Sequence, residues 1–333
     1  MLLKVSDIKQ YLYCPRIIYF TYVLPVEKKT TTKMATGKEE HVTVARKEAR
    51  RRLRLYGLEE AARYFNVWLR SERLQLEGVL DTYCPTGRDV YLRRVAKVKA
   101  PPNLAMVEGT ILHAAVADVL VAAKKVIYSC GVGDYCRIVE NIERHPLLDL
   151  GPWEAQLGPE ERAAVKDRVE LVTTFEKTRI LARLQETLSR QPYIGEDSLV
   201  NLTVPVVVEQ KLDGSFVGLS SYLSTDAYIF TEPMVLDLKF GERRDFHRLT
   251  TTGYGMVMES VWEFPVNLGC IVYVEFRNDR LLVTRDIHVI SDELRQQFID
   301  ARDEKSRMVE EEIDPGVAGE CYATCPYYSV CHQ

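Results

Sequence analysis

Apolar side chains recur every three or four positions along residues 103–123 and 159–190, a spacing that gathers them on one face of an α-helix. Both stretches are rich in Ala, Glu, Leu, Lys and Arg, which lose little rotamer freedom when helical, so each is predicted as a long helix. Similar spacing predicts helices over 4–22, 37–65 with a break near Gly57, 245–262 and 292–312. After Asp197 the pattern changes. NLTVPVVVEQ, SFVGLSSYL, DAYIF and MVLDLKF are β-branched and aromatic runs, separated by turn signals at Asp213-Gly214 and Glu232-Pro233, and are predicted as strands. GCIVYVEF and RLLVTRDIHVI, joined at Asn278-Asp279, predict two more. The expected class is α/β mixed, with a large helical segment ahead of an antiparallel-leaning sheet.

Composition narrows the function classes. With 333 residues, 46% of them hydrophobic, the chain can bury a substantial core. Its apolar run from Ile111 to Ala123 is interrupted by His113 and Asp118 and is shorter than the roughly 18 residues a membrane span needs, so no span is expected. Lys4, Asp7 and Lys9 break up the opening residues, which therefore lack a secretory pattern. A cytoplasmic, reducing location is expected, where clustered cysteines bind metal or do redox chemistry more often than they form disulfides. A net charge of −4 gives no global attraction to nucleic acid, so any such binding falls to local patches. Those are residues 46–54 (RKEARRRLR), residues 93–99 (RRVAKVK) and the pair Arg243-Arg244, each of which alone also fits a solvated surface.

The densest chemistry lies in STDAYIFTEPMVLDLKFG, residues 224–241. Asp237 and Lys239 are two apart on one predicted strand and so share a face. A hairpin turning between Thr231 and Glu232 places Asp226 opposite Asp237, and like charges so placed repel. A divalent cation such as Mg²⁺ or Mn²⁺, which prefers hard oxygen ligands, resolves the repulsion. Two carboxylates, a lysine and a metal form an apparatus for phosphodiester hydrolysis. The alternative is a surface hairpin with ordinary ion pairs. His113 is a candidate fourth member and otherwise a packed core histidine; Tyr254, on the helix after the D-x-K strand, is a candidate catalytic residue or a core tyrosine.

Cysteines carry a second signal. Cys321, Cys325 and Cys331 crowd the last thirteen residues and are one thiolate short of a four-cysteine site. Cys14-Pro15 and Cys84-Pro85 each precede an arginine, a tyrosine and a G-x-x-x-H motif ending at His41 or His113, so either Cys14 or Cys84 is a plausible fourth donor. Cys130, Cys136 and Cys270 are expected to be free, buried thiols.

In this order, Cys-Pro with Arg and Tyr, G-x-x-x-H, Asp, D-x-K, a helical Tyr and a closing cysteine trio, the motifs resemble the RecB-type nucleases that carry an iron–sulfur cluster. Among these the chain most resembles the CRISPR adaptation exonucleases, the Cas-four family and its longer archaeal Csa-one type. YCPTGRDVYLRRV and CPYYSVC resemble the longer type, whereas the opening through LEGVLD resembles the first part of a Cas-four protein. The resemblance implies three parts: a partial Cas-four-like segment over 1–82, a Cys84/His113 segment with a helical insertion over 83–200, and a nuclease sheet core with the cysteine tail over 201–333. It implies a restriction-endonuclease-like (RecB-type) core, with Asp226, Asp237 and Lys239 catalytic, His113 joining both aspartates at the metal, and Tyr254 in a DNA-contacting helix. It also implies a [4Fe–4S] cluster on Cys321, Cys325, Cys331 and Cys84, with Cys14 as the alternative to Cys84. His41 and Asp81 are expected to be vestigial. The implied activity is exonucleolytic trimming of spacer precursors, on single-stranded DNA or DNA with overhangs, beside the Cas-one and Cas-two integrase. A non-cutting DNA- or integrase-binding scaffold and a RecB-type repair nuclease remain alternatives.

Overall fold

A computed structural model describes residues 84–278, 280–322 and 325–332. The helices expected over 4–22 and 37–65, the first basic patch, Cys14, His41 and Asp81 lie outside the described residues. The described chain runs α1 (Arg88–Arg94), α2 (Leu104–Cys130), α3 (Tyr135–Glu143), α4 (Pro159–Arg190), α5 (Glu196–Thr203), β1 (Val206–Leu212), β2 (Leu223–Ile229), β3 (Met234–Phe240), α6 (His247–Trp262), β4 (Leu268–Arg277), β5 (Arg280–Val289), α7 (Asp292–Glu310) and α8 (Tyr328–Cys331).

Local chemistry explains the element ends. The Asn103 side chain accepts a hydrogen bond from Met106 N and starts α2. Pro159 fills the first turn of α4, where an amide hydrogen would be idle, and Glu161 accepts from Gly158 N. Ser291 caps α7 through Leu294 N. The five strands lie in the order β1-β2-β3-β4-β5, antiparallel except for β3 and β4. That parallel pair needs a crossover, which α6 supplies.

The sheet is sandwiched between two helical layers. On one face Tyr228 and Val235 pack with Met256 and Val257 of α6 and with Phe298 and Ile299 of α7. On the other face Ile111, Leu112 and Ala115 of α2 and Val165, Val169 and Val172 of α4 pack near Phe240, Phe276 and Leu281. By length and composition α2 is apolar enough to cross a membrane. Here one side of it, including Ile111, Leu112, Val119 and Leu120, packs within the helical layer and against the sheet, and its Asp118 contacts His145.

Two expected strands differ. The run beginning at Asn201 is helical through Thr203, because Leu199, Val200, Thr203 and Val204 recur at helical spacing on a buried face and Glu196 and Asp197 occupy the first turn. Pro205 then ends the helix, and β1 starts after it. The run 215–223 contributes only Leu223 to a strand. Its first residues form a 3₁₀ turn over Gly214–Val217, with the Asp213 side chain accepting from Ser215 N and Gly218 left-handed at φ 75°. Buried Val217, in that turn, and Leu219, just after it, imitate strand alternation.

Gly269 of β4 is required by its neighbours. A Cβ there would lie 2.6 Å from His288 Nε2 and 2.7 Å from Thr251 Oγ1, two atoms that hydrogen-bond to each other at 2.9 Å. Gly269→Ala is expected to lower stability by roughly 1–3 kcal/mol. Urea denaturation reads this directly, and an unshifted midpoint would show that the α6–β4 contact yields without strain.

Candidate active site

β2 and β3 pair as Ile229↔Met234, Tyr228↔Val235 and Ala227↔Leu236, the register expected from a turn between Thr231 and Glu232. The next rung would join Asp226 to Asp237, and the ladder stops there. Asp226 turns its carboxylate to accept a hydrogen bond from Leu238 N at 2.9 Å, replacing a backbone acceptor. On the other side, β1 pairs Val208↔Ala227 and Gln210↔Thr225, and the Glu209–Asp226 rung between them is also missing. Glu209 has φ 50°, a left-handed conformation uncommon outside glycine. Asp226 therefore sits where both ladders are interrupted. Strand alternation gives a register, but nothing in it shows where that register will fail.

Four of the expected residues meet at this break. His113 reaches down from α2, with Nδ1 3.4 Å from Asp226 Oδ2 and its ring edge-on to Phe240 at 5.4 Å. A third of its side chain touches open space, yet the surrounding protein desolvates it and pushes its pKa down to about 4, leaving a neutral imidazole. Asp237 is 4% exposed. Burial pushes its carboxyl up to about 6; Lys239 opposes the rise and the charge of Asp226 adds to it. Lys239 Nζ stands 3.2 Å from Asp237 Oδ2, but the contact lacks hydrogen-bond alignment and that oxygen is otherwise unsatisfied. His113, Asp226 and Asp237 open into a cavity of about 150 Å³ between the sheet and α2/α4, otherwise lined largely by apolar groups such as Val116, Leu120, Phe175 and Val208.

Tyr254 is elsewhere. It is 5% exposed in the α6 layer, and its hydroxyl donates to Ser224 O at 2.7 Å, so it braces the start of β2 and does not line the cavity. Sequence reading also passed over His247, Tyr273, Arg248 and Asp286, because their chemistry depends on strands far apart in the chain. Tyr273 is the register partner of Lys239. His247 Nδ1 lies 3.1 Å from the Tyr273 hydroxyl, and burial, aided by the charges of Lys239 and Arg244, pushes its pKa down to about 4. The unfolded chain binds a proton near pH 6.5 that this folded site refuses, so stability is present above that pH and lost as pH falls toward about 4. His247→Gln is expected to flatten this part of the profile by on the order of 2 kcal/mol, measured by denaturation at pH 7 and pH 5. Equal loss in both proteins would remove the assignment to His247.

The donor set fits a hard divalent cation. Two carboxylates converge, one with a buried, unsatisfied oxygen, and a cation would resolve both the desolvation and the repulsion. Among the described residues, no group of three or more His, Cys, Asp or Glu side chains is already drawn in closely enough to hold a metal ion.

The cysteines form a separate locus. Cys84, Cys321, Cys325 and Cys331 line one cavity of about 20 Å³. Burial raises the Cys325 thiol, and the charges of Cys84 and Cys331 raise it further, as expected for thiols close enough to repel once ionised. Thr86 donates to Gly316 O at 2.9 Å, and Arg88 makes a forked contact with Asp314 at 2.8–3.2 Å. This donor set and these ties suit a four-thiolate group that joins residue 84 to the C-terminal segment. Of the other thiols, Cys270 is buried as expected, but Cys130 is half-buried and accepts from Asn141, and Cys136 is exposed on α3.

Residues 68–333 match the model of a family described as Csa1, CRISPR-associated exonuclease Csa1. The chain is 32% identical over 257 residues to the CRISPR-associated exonuclease Csa1 of Saccharolobus solfataricus, covering 75% of this chain and 82% of that relative. It is 29% identical to the protein of the same name from Thermoproteus tenax, over 75% of this chain and 81% of the relative. A CRISPR-associated exonuclease Cas4 of Francisella tularensis subsp. novicida is 36% identical over 101 residues, which is 30% of this chain and 50% of that protein.

Proposed function

The chain belongs to the Csa1 family of CRISPR-associated exonucleases, and from that premise we propose that it is a metal-dependent DNA exonuclease that trims spacer precursors before their integration. The observation that carries the chemistry is the paired break in the β-ladders at Asp226, which brings His113, Asp226 and Asp237 to one cavity wall, with Lys239 held against Asp237 at 3.2 Å.

In this reading the sheet with its flanking helices is a RecB-type, restriction-endonuclease-like core. Asp226 and Asp237 hold Mg²⁺ or Mn²⁺, with the neutral His113 imidazole as a further donor. When bound, the cation supplies a Lewis acid that lowers the pKa of water and offsets charge growing on phosphorus. Lys239 orients the attacking water and offsets charge on the cleaved phosphate. The hydrogen bond from Leu238 N fixes the Asp226 carboxylate, and the apolar walls exclude bulk water, which strengthens each of these interactions. Tyr254 acts through packing, by holding β2. Cys84, Cys321, Cys325 and Cys331 hold a [4Fe–4S] cluster whose role is to tie the chain together. The Cas-one and Cas-two integrase is the proposed recipient of the trimmed DNA; family membership supports this.

The test is degradation of end-labelled linear single-stranded DNA in Mn²⁺ or Mg²⁺, beside a covalently closed circle of the same sequence. Loss of the linear strand alone, abolished by EDTA, supports the reading. Equal cutting of the circle would make the protein an endonuclease, and absence of cutting by iron-loaded protein would leave a scaffold.

A further inference from the structure

The loop between β3 and α6 carries two arginines whose surroundings differ. Arg244 is tied down: its guanidinium stacks over the Tyr322 ring at 5.2 Å, donates to the Tyr322 hydroxyl at 2.9 Å and pairs with Glu242 at 2.8 Å. Arg243 is open, with 58% of its side chain exposed. Its guanidinium lies 6.0 Å from the centre of the Tyr273 ring, and Tyr273 is the residue facing Lys239 in the sheet. Its acidic neighbour is Asp286, at 3.5 Å. That carboxylate already accepts a forked pair of hydrogen bonds from Arg248, at 2.9 and 2.8 Å. Two guanidiniums thus share one carboxylate, and the more exposed of them, three residues beyond Phe240 at the end of the D-x-K strand, holds it by the longer and looser contact.

An exposed, loosely paired guanidinium near an aromatic ring that faces Lys239 in the sheet suits a phosphodiester group, which it can grip with a planar fork. We propose that Arg243 is a phosphate subsite for the DNA backbone adjoining the cleaved bond, and that Arg244 and Tyr322 brace the loop that presents it. The other acidic neighbours are directed at other arginines, Glu242 at Arg244 and Asp245 at Arg248, so Arg243 keeps the longer, 3.5 Å contact with Asp286. The brace also ends at a residue that lines the cysteine cavity, so the subsite is tied mechanically to that locus.

This inference rests on the nuclease reading for its substrate, and a binding measurement separates the two. Fluorescence anisotropy of a labelled single-stranded oligonucleotide, with full-length protein in chelator, is followed from 0.05 to 0.5 M salt. Each phosphate contact to a single strand contributes about 0.7 to the slope of log K against log salt. Arg243→Gln is expected to reduce the slope by about that amount and to weaken binding about fivefold at 0.1 M salt, with an unchanged melting temperature. Arg243→Lys should retain the slope, since the charge remains, whereas a purely structural role would move the melting temperature and leave the slope alone. An unchanged slope in Arg243→Gln, equal loss in the glutamine and lysine variants, or no binding by the parent protein would overturn the subsite. A parent that binds with this arginine-dependent slope but cuts nothing would remove the nuclease reading and leave the subsite standing.

Discussion

Asp237→Asn is expected to slow metal-dependent DNA cleavage by on the order of 10³-fold or more, the scale seen when a group acting on transition-state charge is removed. The substitution preserves shape and takes away the carboxylate charge that Lys239 and the cation share. It should also raise the melting temperature of protein held in chelator. In that state the carboxylate is buried and lies near the charge of Asp226, and the Lys239 ammonium at 3.2 Å only partly offsets its desolvation; a neutral amide of the same size removes the buried charge. Opposite signs in the two measurements mark a residue kept for chemistry at the expense of stability. Calorimetry and a cleavage assay on the same preparation check the pair, and cleavage within tenfold of the parent rate would refute the assignment. Asp226 is a poorer reporter: its side chain also accepts from the Leu238 amide, so Asp226→Ala would orphan that group and confound folding with catalysis.

Cys84→Ala is the second large effect. Iron per chain is expected to fall to background, and the melting temperature to drop by about 4–7 °C, the shift that about 3–5 kcal/mol produces in a chain of this size. The four thiols share one cavity, so removing one leaves three thiolates that cannot close the group. Cys14→Ala should keep its iron. The measurement is iron and sulfide analysis of both variants purified without oxygen. Iron lost only from the Cys14 variant would transfer the fourth ligand to that residue. Zinc in place of iron would keep the four-cysteine geometry and change the metal.

Much of the nuclease half was legible because its strands carry their own punctuation. MVLDLKF reads as β3 at both ends, and the register of the hairpin followed from one turn position. Long helices were equally clear, α4 with Pro159 at its start and Arg190 at its end. Short elements failed where burial imitated another period: Leu199, Val200 and Thr203 look β-like in composition but recur helically, and Val217 and Leu219 alternate across the end of a turn. At the site, D-x-K announced itself because its members are two residues apart. Tyr254 could not be placed, since the side of α6 that faces the site depends on the crossover angle and not on spacing. Arg243, Tyr273 and Asp286 were invisible as a group because only β3-β4-β5 pairing brings them together.

The forked contact between Arg88 and Asp314 links positions 226 residues apart, and α1 packs against α7. This has a consequence for biosynthesis. At about 5 to 20 residues per second, translation leaves the α1 segment waiting roughly 10 to 45 s for its partner to leave the ribosome. Through that interval the sheet can assemble, but the thiol of Cys84 has no companions. Final closure of α1 on α7 is therefore a late event, and a nascent chain stalled before Asp314 would lack the tie that holds α1 to the C-terminal segment.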